Sequence, residues 1–171
     1  MAPDCACGKE NDIDHTLICK LGGFVHLRHD NIRDIEAELL SCVCKDVLKE
    51  PPLIPLSGEQ FSKSSVNTKD DARADISALS FWRPLEKVYL DVRIFHPNAA
   101  SYKNLPIESI YRRHEEEKKG SYNERIINVE RETFTPLVFS TTGGMAPECH
   151  KYHKRLAGLI AACRLVGCNP L

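Results

Sequence analysis

Four residues near the start of the chain carry its densest chemistry. Cys5 and Cys7, then His15 and Cys19, bring three thiolates and one imidazole into a short stretch, the ligand set of a closed tetrahedral Zn²⁺ site. The single-residue step from Cys5 to Cys7 needs a tight turn that Gly8 can support, and the spacing of His15 and Cys19 puts the second pair on one helical face. Little apolar material surrounds these residues, so a metal would be the main source of order. The bland alternative is four reduced residues in a frayed terminus.

The second concentration of chemistry is a pair of carboxylates. Asp75 and Asp91 lie in stretches that otherwise read as core strands, where an ionised carboxylate is costly unless it is paired or bound to a cation. Strand alternation puts Asp91 and Arg93 on one face, and an antiparallel hairpin brings Asp75 beside them. Two converging carboxylates are hard oxygen ligands for Mg²⁺ or Mn²⁺, which would polarise a phosphate and acidify water. The competing structural reading is an Asp–Arg salt bridge with no chemistry.

The other cysteines read as ordinary. Cys42 and Cys44 suit a buried helix side chain and its surface neighbour, and Cys149, His150 and His153 fall on a solvated helical face more readily than in a metal site. Eight cysteines would suit a disulfide framework in a secreted chain, but residues 1–20 carry no secretory apolar core, so an intracellular location, nuclear or cytoplasmic, is expected. No apolar run approaches the roughly 20 residues a membrane helix needs, so no membrane partner is expected.

The elements that must position these groups follow from periodicity. The chain has 171 residues, 42% of them apolar, enough for one compact domain with a small appendage. We divide it into a knuckle-like module over 1–23, closed by the Gly22-Gly23 break, and a domain over 24–171. Apolar residues at helical spacing predict an amphipathic helix over 29–45 with Asp30 as N-cap. Three prolines make 47–56 an irregular or edge strand, and 58–71 reads as a polar loop. Residues 75–79 and 88–95 read as strands joined by a short, antiparallel connection. A long helix, or two broken at Gly120, fits 106–131. A strand over 135–140 ends at Gly143-Gly144, and a last helix covers 148–166. The order is knuckle, α, β, β, β, α, β, α, an α/β (α+β) fold on a mixed sheet.

Net charge is −4 over residues 1–50, zero over 51–100 and +3 over 101–171, so a polyanion such as DNA would meet the C-terminal half. Arg112, Arg113, Lys118, Lys119 and Arg125 could neutralise phosphates if they share a face. Glu115, Glu116, Glu117 and Glu124 dilute that field, and a salt-bridged helix is the alternative. The turn Thr141-Thr142-Gly143-Gly144 could offer backbone N–H groups to a phosphate or simply join strand to helix.

Several of these motifs occur in a familiar order: the Cys5, Cys7, His15, Cys19 ligands, Arg28-His29-Asp30, Glu50-Pro51, Arg73-Ala74-Asp75 and Leu90-Asp91-Val92-Arg93. In that order the chain resembles the restriction-like endonuclease region of non-LTR retrotransposon polyproteins, a PD-(D/E)-x-K nuclease preceded by a zinc knuckle. Residues 134–145 are also similar to a segment of invertebrate proteins often encoded near reverse-transcriptase sequences.

The resemblance implies a restriction-endonuclease-like core of α, β, β, β, α, β, with a reverse transcriptase in the same polyprotein as a further partner. Asp75 matches the first acid and Asp91 the second, while the family's lysine falls on Arg93 and its proline on Ala74. Arginine can hold a phosphate but cannot act as a base, so Arg93 would orient water and phosphate. Glu36, in competition with Glu38, would complete the magnesium shell; Glu50 would be an outer ligand, and His29 would contact DNA or cap its helix. Two other classes stand beside this nuclease: a non-catalytic zinc-knuckle module binding nucleic acid or protein, and a thiol enzyme, for which no cysteine has an evident base partner in sequence.

Overall fold

A computed structural model describes residues 4–21, 24–54 and 73–166. The Gly22-Gly23 break, the polar loop over 58–71 and the extreme C-terminus lie outside the described residues. The elements are α1 (Ile13–Ile18), α2 (Phe24–Ser41), β1 (Lys45–Lys49), β2 (Ile76–Leu79), β3 (Lys87–Phe95), α3 (Ile107–Asn123), a π-helical turn (Glu124–Glu130), β4 (Thr133–Ser140) and α4 (Pro147–Val166). The strands form one sheet in the order β1-β2-β3-β4. β1 with β2 and β2 with β3 run antiparallel, and β3 with β4 runs parallel, so the fold is mixed α/β around a mixed sheet.

Parallel β3 and β4 require a crossover, and α3 with its π-helical extension supplies it. Gly120 does not break α3. Instead the helix widens at Glu124 and ends where Arg131 takes a left-handed φ of 59°. Pro136 is tolerated because β4 is an edge strand.

Two expected boundaries are corrected. The helix expected over 29–45 occupies Phe24–Ser41, so Asp30 lies inside it rather than at its cap. Its end is fixed when the Val43 and Cys44 amides both turn back to the Leu40 carbonyl, at 2.9 and 2.7 Å. The strand expected over 47–56 is β1, which stops at Lys49 ahead of Pro51 and Pro52; left-handed Asp46 and Glu50 and a register shift between Lys45 and Leu48 make it irregular.

Alternation along β3 sorts the layers. Asp91 and Phe95 meet α3, through Lys118 and through the rings of Tyr111 and His114. In β4, Phe134 stacks on Tyr122 at the end of α3, whereas Phe139 meets His153 of α4. Glu36 of α2 bonds to Tyr152 and His153 of α4. The sheet therefore lies between α3 on one face and α2 with α4 on the other, and Val88–Val92 is buried throughout, as a strand covered on both faces should be. The main core centres on Leu40, Ile76, Phe81, Leu90, Leu137 and Tyr152. No helix among the described residues is long and apolar enough to cross a membrane.

Candidate metal centre and aspartate pair

The knuckle is built almost entirely from polar geometry. The Cys5 amide donates to the Lys9 carbonyl and the Gly8 amide to the Cys5 carbonyl, both at 2.8 Å. Gly8 closes that turn at φ 80°, a conformation glycine adopts without penalty. Asp12 then starts α1 by accepting the His15 amide at 2.5 Å, and the Cys19 amide ends it on the His15 carbonyl at 2.8 Å. The turn presents Cys5 and Cys7, and the helix presents His15 and Cys19.

Cys5 Sγ and Cys19 Sγ are 3.5 Å apart, and Cys7 Sγ is 3.1 Å from His15 Nε2. All four ligand atoms lie within 4.8 Å of one another. Ligands on one tetrahedral zinc stand roughly 3.3–3.8 Å apart, given bond lengths of about 2.0–2.3 Å, so Cys5 and Cys19 stand at that spacing and small side-chain shifts would bring the other atoms to it. The cluster could bind zinc. It is the one group of three or more Cys, His and acidic ligand atoms gathered at this range among the described residues.

The aspartates meet at the open end of the β2–β3 hairpin. Ile76 pairs with Leu90, and the Asp75 amide donates to the Leu90 carbonyl at 3.0 Å, so Asp75 stands across from Asp91 one rung on. Asp75 lies just outside β2, where β3 has lost its neighbour, and its Oδ2 accepts the Val92 amide at 2.6 Å. His29, from α2, places Nε2 3.2 Å from both Asp75 Oδ2 and the Val92 carbonyl. The Asp75 hydrogen bond raises the His29 imidazole above its ordinary acidity range, with Asp30 and Asp91 adding to it against burial.

Asp91 has a different partner. It is buried at 4% exposure, and Lys118 Nζ of α3 lies 2.5 Å from its Oδ2. Burial pushes the Asp91 carboxyl upward; Lys118 pulls it down and neighbouring Asp75 pushes it up again. The Tyr122 hydroxyl lies beside Asp91 and donates to the Arg73 carbonyl at 3.1 Å. The sequence pointed to Lys118 as a DNA contact and not as the cation of Asp91; its spacing from Tyr122 by one helical turn was the available signal.

The remaining sequence-derived residues are dispersed. Arg93 shares the α3 face with Asp91 but pairs with neither aspartate; it lies near His114, whose imidazole is pushed down first by burial and then by Arg93. Glu36 is not brought to the pair: Tyr152 donates to its Oε2 at 3.1 Å and His153 Nε2 lies 2.8 Å from Oε1. Glu50 donates its amide to the Asp75 carbonyl at 2.8 Å, while its carboxylate takes Arg33 at 2.6 Å. Arg112 and Arg113 are exposed on α3, Lys119 is paired with Glu148, and Arg125 is buried.

The turn after β4 is not arranged as a phosphate cradle. The Thr141 amide donates to the Phe95 carbonyl, the Gly143 amide to the Ser140 carbonyl and the Gly144 amide to Ser140 Oγ. Gly144 is required for space, because a Cβ there would strike the Tyr111 hydroxyl. Cys149 does have a histidine nearby, with Sγ 3.6 Å from His153 Nδ1. Burial, reinforced by Glu36 and Glu115, pushes that thiol far above its ordinary range, which is the opposite of an activated nucleophile.

No protein-family model matches the chain, and no curated protein matches it.

Proposed function

We propose that the chain is a divalent-metal-dependent DNA endonuclease domain of PD-(D/E)-x-K type, derived from a mobile element, with a zinc-loaded knuckle that positions it on DNA. One observation carries this reading: Asp75 and Asp91 stand across from each other at the hairpin end with a lysine against one of them. The pair retains donor capacity for a hard cation, since among the described residues both side-chain contacts of Asp75 use Oδ2 and none uses Oδ1. Asp75 and Asp91 would hold Mg²⁺ or Mn²⁺, which when bound would polarise a phosphodiester and acidify nearby water. Lys118, not Arg93, is placed to hold charge beside Asp91, and an ammonium, unlike a guanidinium, can also release a proton. His29 fixes the orientation of Asp75. Exposed Arg112 and Arg113 would meet the DNA backbone, and a reverse transcriptase in the same polyprotein remains part of the proposal.

A second reading has its own support. Each aspartate already faces a protein donor, the His29 imidazole at 3.2 Å and the Lys118 ammonium at 2.5 Å, as in a polar network that has lost its chemistry. Incubation of the purified chain with supercoiled plasmid and Mn²⁺ at low salt separates the two. Nicking by wild type that is lost in Asp75→Asn and Asp91→Asn supports the nuclease. Plasmid left equally intact by all three proteins, with zinc still bound, ends it in favour of the non-catalytic knuckle module.

A further inference from the structure

A side-chain contact between the knuckle and the sheet runs through a buried histidine that the metal site and the aspartate pair do not use. His96 follows β3 directly, and its side chain is 2% exposed. Its Nε2 lies 2.9 Å from Asp14 Oδ1 and its Nδ1 lies 2.7 Å from Thr141 Oγ1. A neutral imidazole satisfies both contacts: Nε2–H donates to the Asp14 carboxylate, and Nδ1 accepts from the Thr141 hydroxyl. Thr141 in turn donates its amide to the Phe95 carbonyl at 2.9 Å, so His96 ties together the ends of β3 and β4.

The partner that completes this arrangement is held by weak means. Asp14 belongs to α1, which has six residues and buries none of them, and a helix of that length has no stability of its own in water. What fixes α1 is the knuckle, since His15 is the residue after Asp14 and Cys19 is the C-cap. A second contact, Arg28 Nη2 to the Leu17 carbonyl at 3.2 Å, joins the same helix to α2. Loss of Asp14 leaves a buried imidazole N–H without its acceptor, a state that buried polar groups avoid.

We infer that the knuckle is a metal-dependent latch: occupancy of Cys5, Cys7, His15 and Cys19 holds Asp14 against His96 and thereby closes the shared end of β3 and β4. The inference rests on the metal reading of the knuckle and not on DNA cleavage. It assigns Asp14 and His96 as an intramolecular docking contact whose formation a divalent metal controls.

Amide hydrogen exchange on the full chain tests it, with bound zinc measured in parallel. Removing zinc from wild type with a chelator is expected to speed exchange about tenfold at the Thr141 amide and its neighbours, while Leu90 and Leu137 in mid-strand keep their protection. Asp14→Ala, which leaves all four ligands in place, is expected to bind zinc and show the same acceleration, and stripping that variant should add nothing further at the sheet end. Two results overturn the latch: zinc removal that loosens residues 4–21 alone, or a zinc-loaded Asp14→Ala chain with unchanged exchange at Thr141. A wild type that takes up no zinc removes the latch together with the metal site, whereas absence of cleavage has no bearing on it.

Discussion

In the knuckle, four soft ligand atoms converge within 4.8 Å on a segment with almost no buried side chains. At the hairpin end, two hard carboxylates are each met by a donor from the protein, the His29 imidazole or the Lys118 ammonium. The first region would gain most of its order from a bound ion, because its short helix and tight turn bury too little to stand alone and few contacts, such as Asp14 to His96, tie it to the body. The second already holds protein donors, so a divalent ion there would share the carboxylates with Lys118 and His29. Convergence of ligands and freedom from competing partners are thus separate properties, and only their combination makes a strong metal site.

The largest expected effect follows from the knuckle's dependence on its ion. Structural zinc contributes roughly 10–16 kcal/mol of apparent binding energy at neutral pH, so Cys7→Ser should weaken zinc affinity by several orders of magnitude. Competition with a chromogenic chelator measures it. Unchanged affinity in Cys7→Ser would show that the four atoms do not act as one site and would erase the contrast with the hairpin.

Next in size is the cation of Asp91. Removing one member of a buried ion pair strands the other charge, at about 3–5 kcal/mol, and Asp91 is 4% exposed. Lys118→Met should lower the unfolding free energy measured in urea by that much, while the double variant Lys118→Met with Asp91→Asn should recover most of it. A single variant as stable as wild type would mean that Asp91 is not compensated by Lys118, and the hairpin end would then resemble the knuckle more closely.

The sheet's other face holds a third arrangement, a histidine paired with a buried glutamate. His153 Nδ1 lies 2.8 Å from the Cys149 carbonyl and Nε2 lies 2.8 Å from Glu36. Both nitrogens face acceptors, which suits an imidazolium. Burial opposes the charge on His153, but the Glu36 hydrogen bond and charge outweigh it and raise the group. A raised histidine contributes stability that is fully present below its unfolded value of about 6.5 and disappears as pH rises through the folded value. Thermal melts should therefore show a stabilising contribution at pH 5.5 that is missing at pH 8.5. Glu36→Gln should remove about 2 kcal/mol of it and flatten the difference; an unchanged pH dependence in Glu36→Gln would assign it elsewhere.

Much of this arrangement was legible in the residues. The knuckle ligands announced themselves by type and spacing, and the β-branched and aromatic run of β3 and the apolar periodicity of α2 and α4 marked the main elements. The antiparallel pairing of β2 with β3 followed from the short connection, and it put Asp75 across from Asp91. What stayed hidden was tertiary. Lys118 reads as one more charge on a polar helix until α3 is laid across the sheet, and Glu36 looks like a partner for the aspartates until α4 brings Tyr152 and His153 to it. Asp14 and His96 are 82 residues apart, and no periodicity links them. The early start of α2 stayed hidden because Asp30, a residue type that caps helices, marks a false start inside the helix.

The smallest expected effect is the sharpest test of whether the two regions behave separately. Asp12 accepts the His15 amide at 2.5 Å, and with so few residues α1 has no interior to absorb the loss of that cap. Replacing an N-cap aspartate by alanine costs about 1 kcal/mol, and here the cost should fall on metal binding because the capped residue is itself a ligand. Asp12→Ala should weaken zinc affinity about fivefold, and Asp12→Asn, which keeps a capping oxygen, should restore it. The urea midpoint of the zinc-loaded sheet should not move with either substitution, since among the described residues the hydrogen bonds of Asp12 stay within α1. A midpoint shift equivalent to about 1 kcal/mol of unfolding free energy would show that order in the knuckle reaches the whole core and not only the sheet end closed by His96.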